Sequence, residues 1–360
     1  MKEINLNEFP STRYQGSKRK ILPWIYSVVK DLNFDTALDA FGGSSSVSYL
    51  FKKMNKSVTF NDSLLFNYHV GKALIENSKV KLEREDLSNL MKKQEHVAYH
   101  KFIQQTFSDF YYLDSENAWL DKVVCNIYQM NHYRGSTLEY KKSLAYYALF
   151  QASLIKRPFN LFHRKNLYIR TSDVERNFGN KSTWDRSFHQ YLKKFATEAN
   201  SLVFNSSKTC NALNQSAFDV APDGYDLVYL DPPYLRENVT NESSNYFNCY
   251  HFLEGISQYE NWHSLIDYNT VNLRLMAPVG KDEFSLNNIY ETYEKLIYRY
   301  RKSIIVLSYK KGGIPSINFL VNLMKKIKGN VFTRSMHYQY ALNHQNGDAK
   351  YNREVLIVGI

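Results

Sequence analysis

Five short segments of the chain are apolar almost throughout and rich in β-branched or aromatic residues: TALDAF (36–41), SVTFND (57–62), YDLVYLD (225–231), SIIVLSY (303–309) and REVLIVGI (353–360). Runs of this length, bounded by polar residues, predict strands buried on both faces. Helical patterns separate them, so the fold class expected is α/β, a sheet with helices on both faces. From residue 75 to residue 204 the pattern changes to longer amphipathic stretches such as WLDKVVCNIYQM and SLAYYALFQASLIK, with no comparable strand runs. That predicts an inserted, mostly helical domain at 75–204 and assigns 1–74 and 205–360 to the sheet-bearing domain. Residues 236–262 open on Asn, Ser and Thr and predict a loop able to move over a substrate.

Composition narrows the partners. The chain of 360 residues is 44% hydrophobic, enough for a sizeable core, and Lys plus Arg exceed Asp plus Glu by 46 − 35 = 11. A pI near 9.2 points to a polyanionic partner. Cys125, Cys210 and Cys249 have no C-x-x-C spacing, which argues against a disulfide framework or zinc ribbon and fits a reducing cytoplasm. No metal is implied. The N-terminus lacks the pattern of a secretory leader, and no apolar run approaches the ~20 residues of a membrane span, so a cytoplasmic protein is expected.

Three local patterns carry chemistry. In YLDPPYL (229–235), a buried strand ends at Asp231, and Pro232 and Pro233 fix the backbone so that the acid and Tyr234 are held in nearly constant relation. LDAFGGSSSVSYLF (38–51) reads as strand, Gly/Ser turn and helix, a turn that lets a ligand approach the backbone at Phe41, Gly42 and Gly43. About 20 residues further on, Asp62 ends a strand, the position from which an acid accepts hydrogen bonds from ribose hydroxyls. Together these predict a nucleoside site. Neither G-x-G-x-x-G nor a P-loop is present, which disfavours NAD and ATP. Upstream, RYQGSKRKIL (13–22) offers an aromatic residue, a flexible Gly16 and Lys18 before a helix. His96 and His100 stand four apart without the Glu of a zincin motif, and a zinc site there is rejected.

Tyr14-Gln15-Gly16-Ser17-Lys18, Phe41-Gly42-Gly43, Asp62 and Asp231-Pro232-Pro233-Tyr234 occur in the order seen in the D12, or Dam-like, class of DNA adenine-N6 methyltransferases, which the chain resembles over its length. Two positions depart from that family's pattern. Ser45 replaces a glycine of the usual F-x-G-x-G, where its Cβ is expected to crowd the methionine part of the cofactor, and Tyr14 stands where Trp is common. The resemblance implies a Rossmann-like methyltransferase sheet plus a helical target-recognition insert. It also implies S-adenosylmethionine as cofactor, with Tyr14, Gly16, Lys18, Asp62 and Asp231 in its binding set and Phe41 to Ser45 lying along it. Asn214 or Asp219, in NALNQSAFD, is placed at the cofactor adenine.

An adenine amino nitrogen is a poor nucleophile because its lone pair is delocalised into the ring. Acceptors that draw its N–H hydrogens free that lone pair for attack on a sulfonium methyl; Asp231 and the Pro232 carbonyl are those acceptors, and Tyr234 stacks on a base flipped from the duplex. IKRPFNLFHRKNLYIR (155–170) holds Lys156, Arg157, Arg164, Lys165 and Arg170, no acid, and interleaved aromatics, and is the segment expected to contact DNA. The function expected is site-specific adenine-N6 methylation of double-stranded DNA, paired with a restriction endonuclease. RNA as the polymer, or a lapsed enzyme serving as a DNA-binding module, are the alternatives; intact Asp231 and Tyr234 weigh against the second.

Overall fold

The computed structural model describes residues 4–173, 181–235, 245–276, 283–337 and 353–360. Residues 236–244 of the expected loop lie outside the described residues, and the rest of that expectation is corrected: Tyr246–Ser257 forms a helix held by the burial of Tyr250, Phe252 and Leu253.

All five expected strands form: β1 (Thr36–Asp39), β2 (Ser57–Asn61), β4 (Leu227–Leu230), β5 (Ile304–Lys310) and β7 (Arg353–Gly359). Two further strands complete a seven-stranded sheet, β3 (Asn211–Leu213) and β6 (Val331–His337). Neither has the apolar run that marks the others. β3 is three residues long, and β6 is an edge strand exposed at Thr333, Arg334 and Ser335 that owes its extension to antiparallel pairing with β7. The order is β3-β2-β1-β4-β5-β7-β6. The first five strands in that order run parallel, while β7 is antiparallel to both of its neighbours.

β1 pairs with β2 on one side and with β4 on the other, so the chain direction of the sheet's growth reverses there. Crossovers diverge at such a point and leave a crevice beyond the carboxyl ends of the strands, the usual ligand position of an open parallel sheet. Asp39, Asp62 and Asp231 all stand at or just past those ends.

Helices cover the sheet. α1 (Leu22–Val29) carries Pro23 in its first turn, where no hydrogen bond is lost. α2 (Ser46–Lys53) follows β1, and α3 (Leu65–Gly71) follows β2. The connection from β2 to β3 holds α4 (Asp114–Tyr128), α5 (Gly135–Ile155) and α6 (Phe188–Leu202). A reciprocal cap starts α6: the Gln190 amide donates to Ser187 Oγ and the Ser187 amide to the Gln190 side chain, each at 3.2 Å. α5 is buried on every side along Ser143–Leu154, as expected of a helix with no polar face there. Past Asp231, α7 (Tyr246–Ser257) is capped by Asn245, and α8 (Ile289–Arg299) and α9 (Ile317–Lys325) pack on the other face of the sheet with Leu230, Ile305 and Ile357. Leu50 and Phe60 of the sheet side belong to one continuous buried cluster with Phe150 of α5, Phe195 of α6 and Phe252 of α7. Among the described residues no helix is long and apolar enough to cross a membrane.

Candidate active site

The turn after β1 is folded against three neighbours. The Gly42 amide donates to the Asn61 carbonyl (2.8 Å) and the Gly43 amide to Asp62 Oδ2 (2.9 Å), which ties the turn to the end of β2. Gly42 admits no side chain, because a Cβ there would stand 2.1 Å from the Phe60 ring. Ser45 adopts φ 61°, ψ 8°, the left-handed region that favours glycine. The serine therefore takes the backbone shape a glycine would take, at a conformational cost. Its side chain is buried and does not line the cavity described below, whereas Ser44, Ser46 and Val47 do.

A cleft opens beyond β1, β2 and β4, with about 650 Å³ free of protein atoms when its mouth is counted. It is lined by the expected Tyr14, Gly16, Lys18, Phe41, Gly42, Gly43, Asp62, Asp231 and Pro233. The two N-terminal motifs meet there through hydroxyls. Ser17 Oγ lies 3.0 Å from Ser44 Oγ, which lies 2.9 Å from Ser46 Oγ.

Tyr14 is sandwiched between two rings of α7, Tyr246 (centroids 5.5 Å apart, 8° between planes) and Tyr250 (4.9 Å, 10°). The Tyr250 hydroxyl accepts from the Gln15 amide at 2.7 Å. Gly16, at φ +83°, passes so close to Tyr246 that a Cβ would lie 2.9 Å from the phenol oxygen. Hence α7, which begins 15 residues after Asp231 in sequence, returns to wall the cleft at the N-terminal motif. No sequence pattern singled out Tyr246, because the segment 236–262 reads as a loop and its aromatic residues as no part of an element, whereas Tyr246–Ser257 is helical.

Electrostatics centre on Lys18. Its Nζ lies 2.9 Å from Asp231 Oδ2 and 3.7 Å from Glu354 Oε1, with the lysine 6% and Glu354 1% exposed. Burial works against the ammonium, yet Asp231 and Glu354 hold it charged well above the ordinary lysine range. Burial raises the Asp231 carboxyl, against the pull of Lys18. Asp39 is also buried beside the cleft and accepts from the Ser48 amide (3.1 Å) and hydroxyl (2.6 Å) at one oxygen. Burial pushes its carboxyl up to about 7, with Asp231 and Asp62 adding repulsion. Burial likewise raises Asp62, whose oxygens accept from the Gly43 and Leu64 amides at 2.9 Å each. A buried cleft ringed by three carboxylates and one ion-paired lysine suits a cationic ligand with hydroxyl groups.

Other expected site residues stand elsewhere. Asn214 is exposed, its side-chain amide donating to the Asp62 carbonyl at 2.9 Å, while Asp219 is exposed and is not among the residues that line the cleft. Pro232 is buried, and Tyr234 meets Tyr309 edge to face at 5.7 Å; neither lines the cleft.

The basic segment is largely a structural brace. Lys156 is buried, pairs with Glu116 of α4 at 2.8 Å and donates to the carbonyls of Trp184 and Arg186. Arg157 is buried and donates to the carbonyls of Leu161 (3.1 Å), Arg164 (2.7 Å) and Lys165 (2.8 Å), with its guanidinium 4.6 Å from the Tyr111 ring. Arg170 pairs with the same Glu116 at 2.9 Å. The expectation that these three contact DNA is corrected: their charges satisfy backbone carbonyls and an acid that comes from α4, outside the segment. Lys165 lies over the Phe110 ring at 3.6 Å, and Arg164 is exposed.

A family profile described as D12 class N6 adenine-specific DNA methyltransferase matches residues 14–299. The chain belongs to that family. As a methyltransferase of this class it acts on adenine N6 in DNA, and its seven-stranded sheet has the Rossmann-like form expected. It is 25% identical to Type II methyltransferase M2.HphI of Haemophilus parahaemolyticus, over 99% of both chains. It is 26% identical to Modification methylase StsI of Streptococcus sanguinis over 95% of this chain, which spans only 50% of that longer protein. Type II methyltransferase M.FokI of Planomicrobium okeanokoites is 26% identical over 69% of this chain and 37% of its own.

Proposed function

We propose that the methyltransferase uses S-adenosylmethionine, held in the cleft between Tyr14, the Phe41 to Gly43 turn and Asp62, to methylate an adenine flipped out of double-stranded DNA against Asp231. The observation that carries this reading is the Lys18–Asp231 pair at the floor of a cleft ringed by carboxylates. The cradle fits the group. Gly43 leaves room against the Tyr14 ring, 3.0 Å from where its Cβ would stand, and Asp39, Asp62 and Asp231 answer a net positive ligand. When bound, the cofactor supplies an electrophilic methyl on a sulfonium. Asp231 and the Pro232 carbonyl accept the two amino hydrogens of adenine and localise the nitrogen lone pair. Once methylated the nitrogen is acidic and passes one proton to the Asp231 carboxylate and from there to solvent, so Asp231 needs no strong basicity. Tyr234 stacks on the base after rotating from its contact with Tyr309. Residues 75–204 serve as the target-recognition part, with Arg164 and Lys165 as candidate phosphate contacts. The relatives' names support a role as the modification partner of a restriction endonuclease.

The substitution Asp62→Ala is expected to weaken S-adenosylmethionine binding by ~1.5–3 kcal/mol, the value of hydrogen bonds to a charged acceptor. Calorimetry giving the parent affinity would move the ribose elsewhere. Affinity is also expected to rise with pH between 5.5 and 7.5. Asp39 is protonated below about 7, and a cationic ligand favours its ionised form. Calorimetric titrations of Asp39→Asn across that range should give a flatter curve than the parent; an identical curve would exclude Asp39 as the titrating group.

A further inference from the structure

Beneath Asp231 the sheet carries charges that neither the glycine turn nor the D-P-P-Y corner accounts for. Glu354 lies on β7, in register with Lys310 of β5, and both are buried. Its neighbours along the strand, Val355 and Leu356, are apolar and buried. Burying a carboxylate is costly, and an apolar residue is often as stable in such a place. Lys310 across the ladder offsets part of that cost, and the geometry that bears on the reaction is the side of Glu354 that reaches Lys18. Its Oε1 stands 3.7 Å from Lys18 Nζ, on an ammonium whose other carboxylate partner is Asp231 at 2.9 Å.

We propose that Glu354 is a positioning residue for methyl transfer: together with Asp231 it fixes the Lys18 ammonium, so that one Asp231 oxygen stays tied to Lys18 and the other faces the adenine amino group. The assignment rests on the reading of Asp231 as the amino-group acceptor. With one carboxylate partner, the four-carbon stem of Lys18 is free to follow Asp231 wherever it turns. With two, the ammonium becomes a fixed point from which the aspartate rotamer is set. Sharing the lysine also leaves Asp231 less neutralised, and therefore a better acceptor.

The groups that face Asp231 come from every element around it: Lys18 from the N-terminal turn, Asp39 from β1, Tyr229 from β4, Ser308 from β5, Glu354 from β7, Tyr246 from α7 and Tyr293 from α8. Burial holds the three tyrosines protonated, so the neighbour that titrates near neutrality is Asp39. Removing the Glu354 charge takes a like charge away from Asp231 and moves its titration to lower pH.

The test is the pH profile of kcat for tritiated methyl transfer to duplex DNA, with active sites counted by calorimetric titration with S-adenosylmethionine. Glu354→Gln is expected to lower kcat ~10- to 100-fold, the scale of a small misplacement of reacting groups. KM for the cofactor should change far less, and the acid limb should move down by about half a pH unit or more. Unchanged kcat overturns the assignment, as does a lowered kcat with an unmoved acid limb, which marks a purely structural carboxylate. Should the Gln variant not fold, Glu354→Asp keeps the charge but retracts it from Lys18, and a kcat equal to the parent's then overturns it. Asp231→Asn run in parallel separates the two readings: if that variant keeps parent activity, the acceptor role itself is wrong whatever Glu354 does.

Discussion

The substitution Asp231→Asn is expected to lower the rate of adenine methylation by ~10²–10⁴-fold, the range lost when a positioned proton acceptor is removed. The carboxamide keeps the shape of the side chain but turns part of its acceptor capacity into a donor that faces the amino group. Folding should survive, because Lys18 retains Glu354 at 3.7 Å. Alanine is the poorer probe. Asp231 is only 19% exposed and shares a buried ion pair, so truncation risks the ~3–5 kcal/mol lost when such a pair is broken from one side. Single-turnover incorporation of tritiated methyl into duplex DNA, with cofactor binding measured separately, distinguishes chemistry from folding. A rate within a few-fold of the parent would remove Asp231 from the reaction.

The second large effect concerns stability. Arg157→Ala is expected to destabilise the protein by ~3–5 kcal/mol, because the buried Leu161 carbonyl and the part-buried carbonyls of Arg164 and Lys165 lose their donor together and a large buried side chain is removed. Burial draws the Arg157 guanidinium down to about 10, still far above neutrality, so the loss is expected to be the same across the physiological range. Urea denaturation followed by circular dichroism measures it. A change below ~1 kcal/mol, together with a shallower dependence of DNA affinity on salt, would return Arg157 to the phosphate contacts that the sequence alone suggests.

The contrast between these two residues shows what was legible. Asp231 could be placed because prolines fix its backbone and a buried run leads into it; both are local properties. The five strands that form the middle of the sheet were legible for the same reason, being buried on both faces and hence apolar at most positions. β6 was not, since an exposed edge strand gains its shape from its partner β7. Arg157 misled because a basic stretch with interleaved aromatics looks alike whether its charges meet phosphates or carbonyls. The deciding acid, Glu116, lies about 40 residues upstream and only folding brings it to Lys156 and Arg170. Tyr246 and Glu354 were invisible for a related reason: each enters the cleft's surroundings from an element whose own pattern is satisfied by packing.

The apolar cluster that runs without a break from Phe60 on β2 to Phe150 and Phe195 has a consequence for how such enzymes diversify. A recognition module that hangs on flexible linkers can be traded between relatives as a cassette. Here the helices between β2 and β3 share one buried cluster with the sheet, so an exchanged set arrives with side chains shaped for a different floor. Chimeras are therefore expected to work only when the matching residues of α3, such as Phe66 and Val70, travel with the helices, and new target specificities should arise more readily by substitution at the exposed positions of the insert than by wholesale replacement.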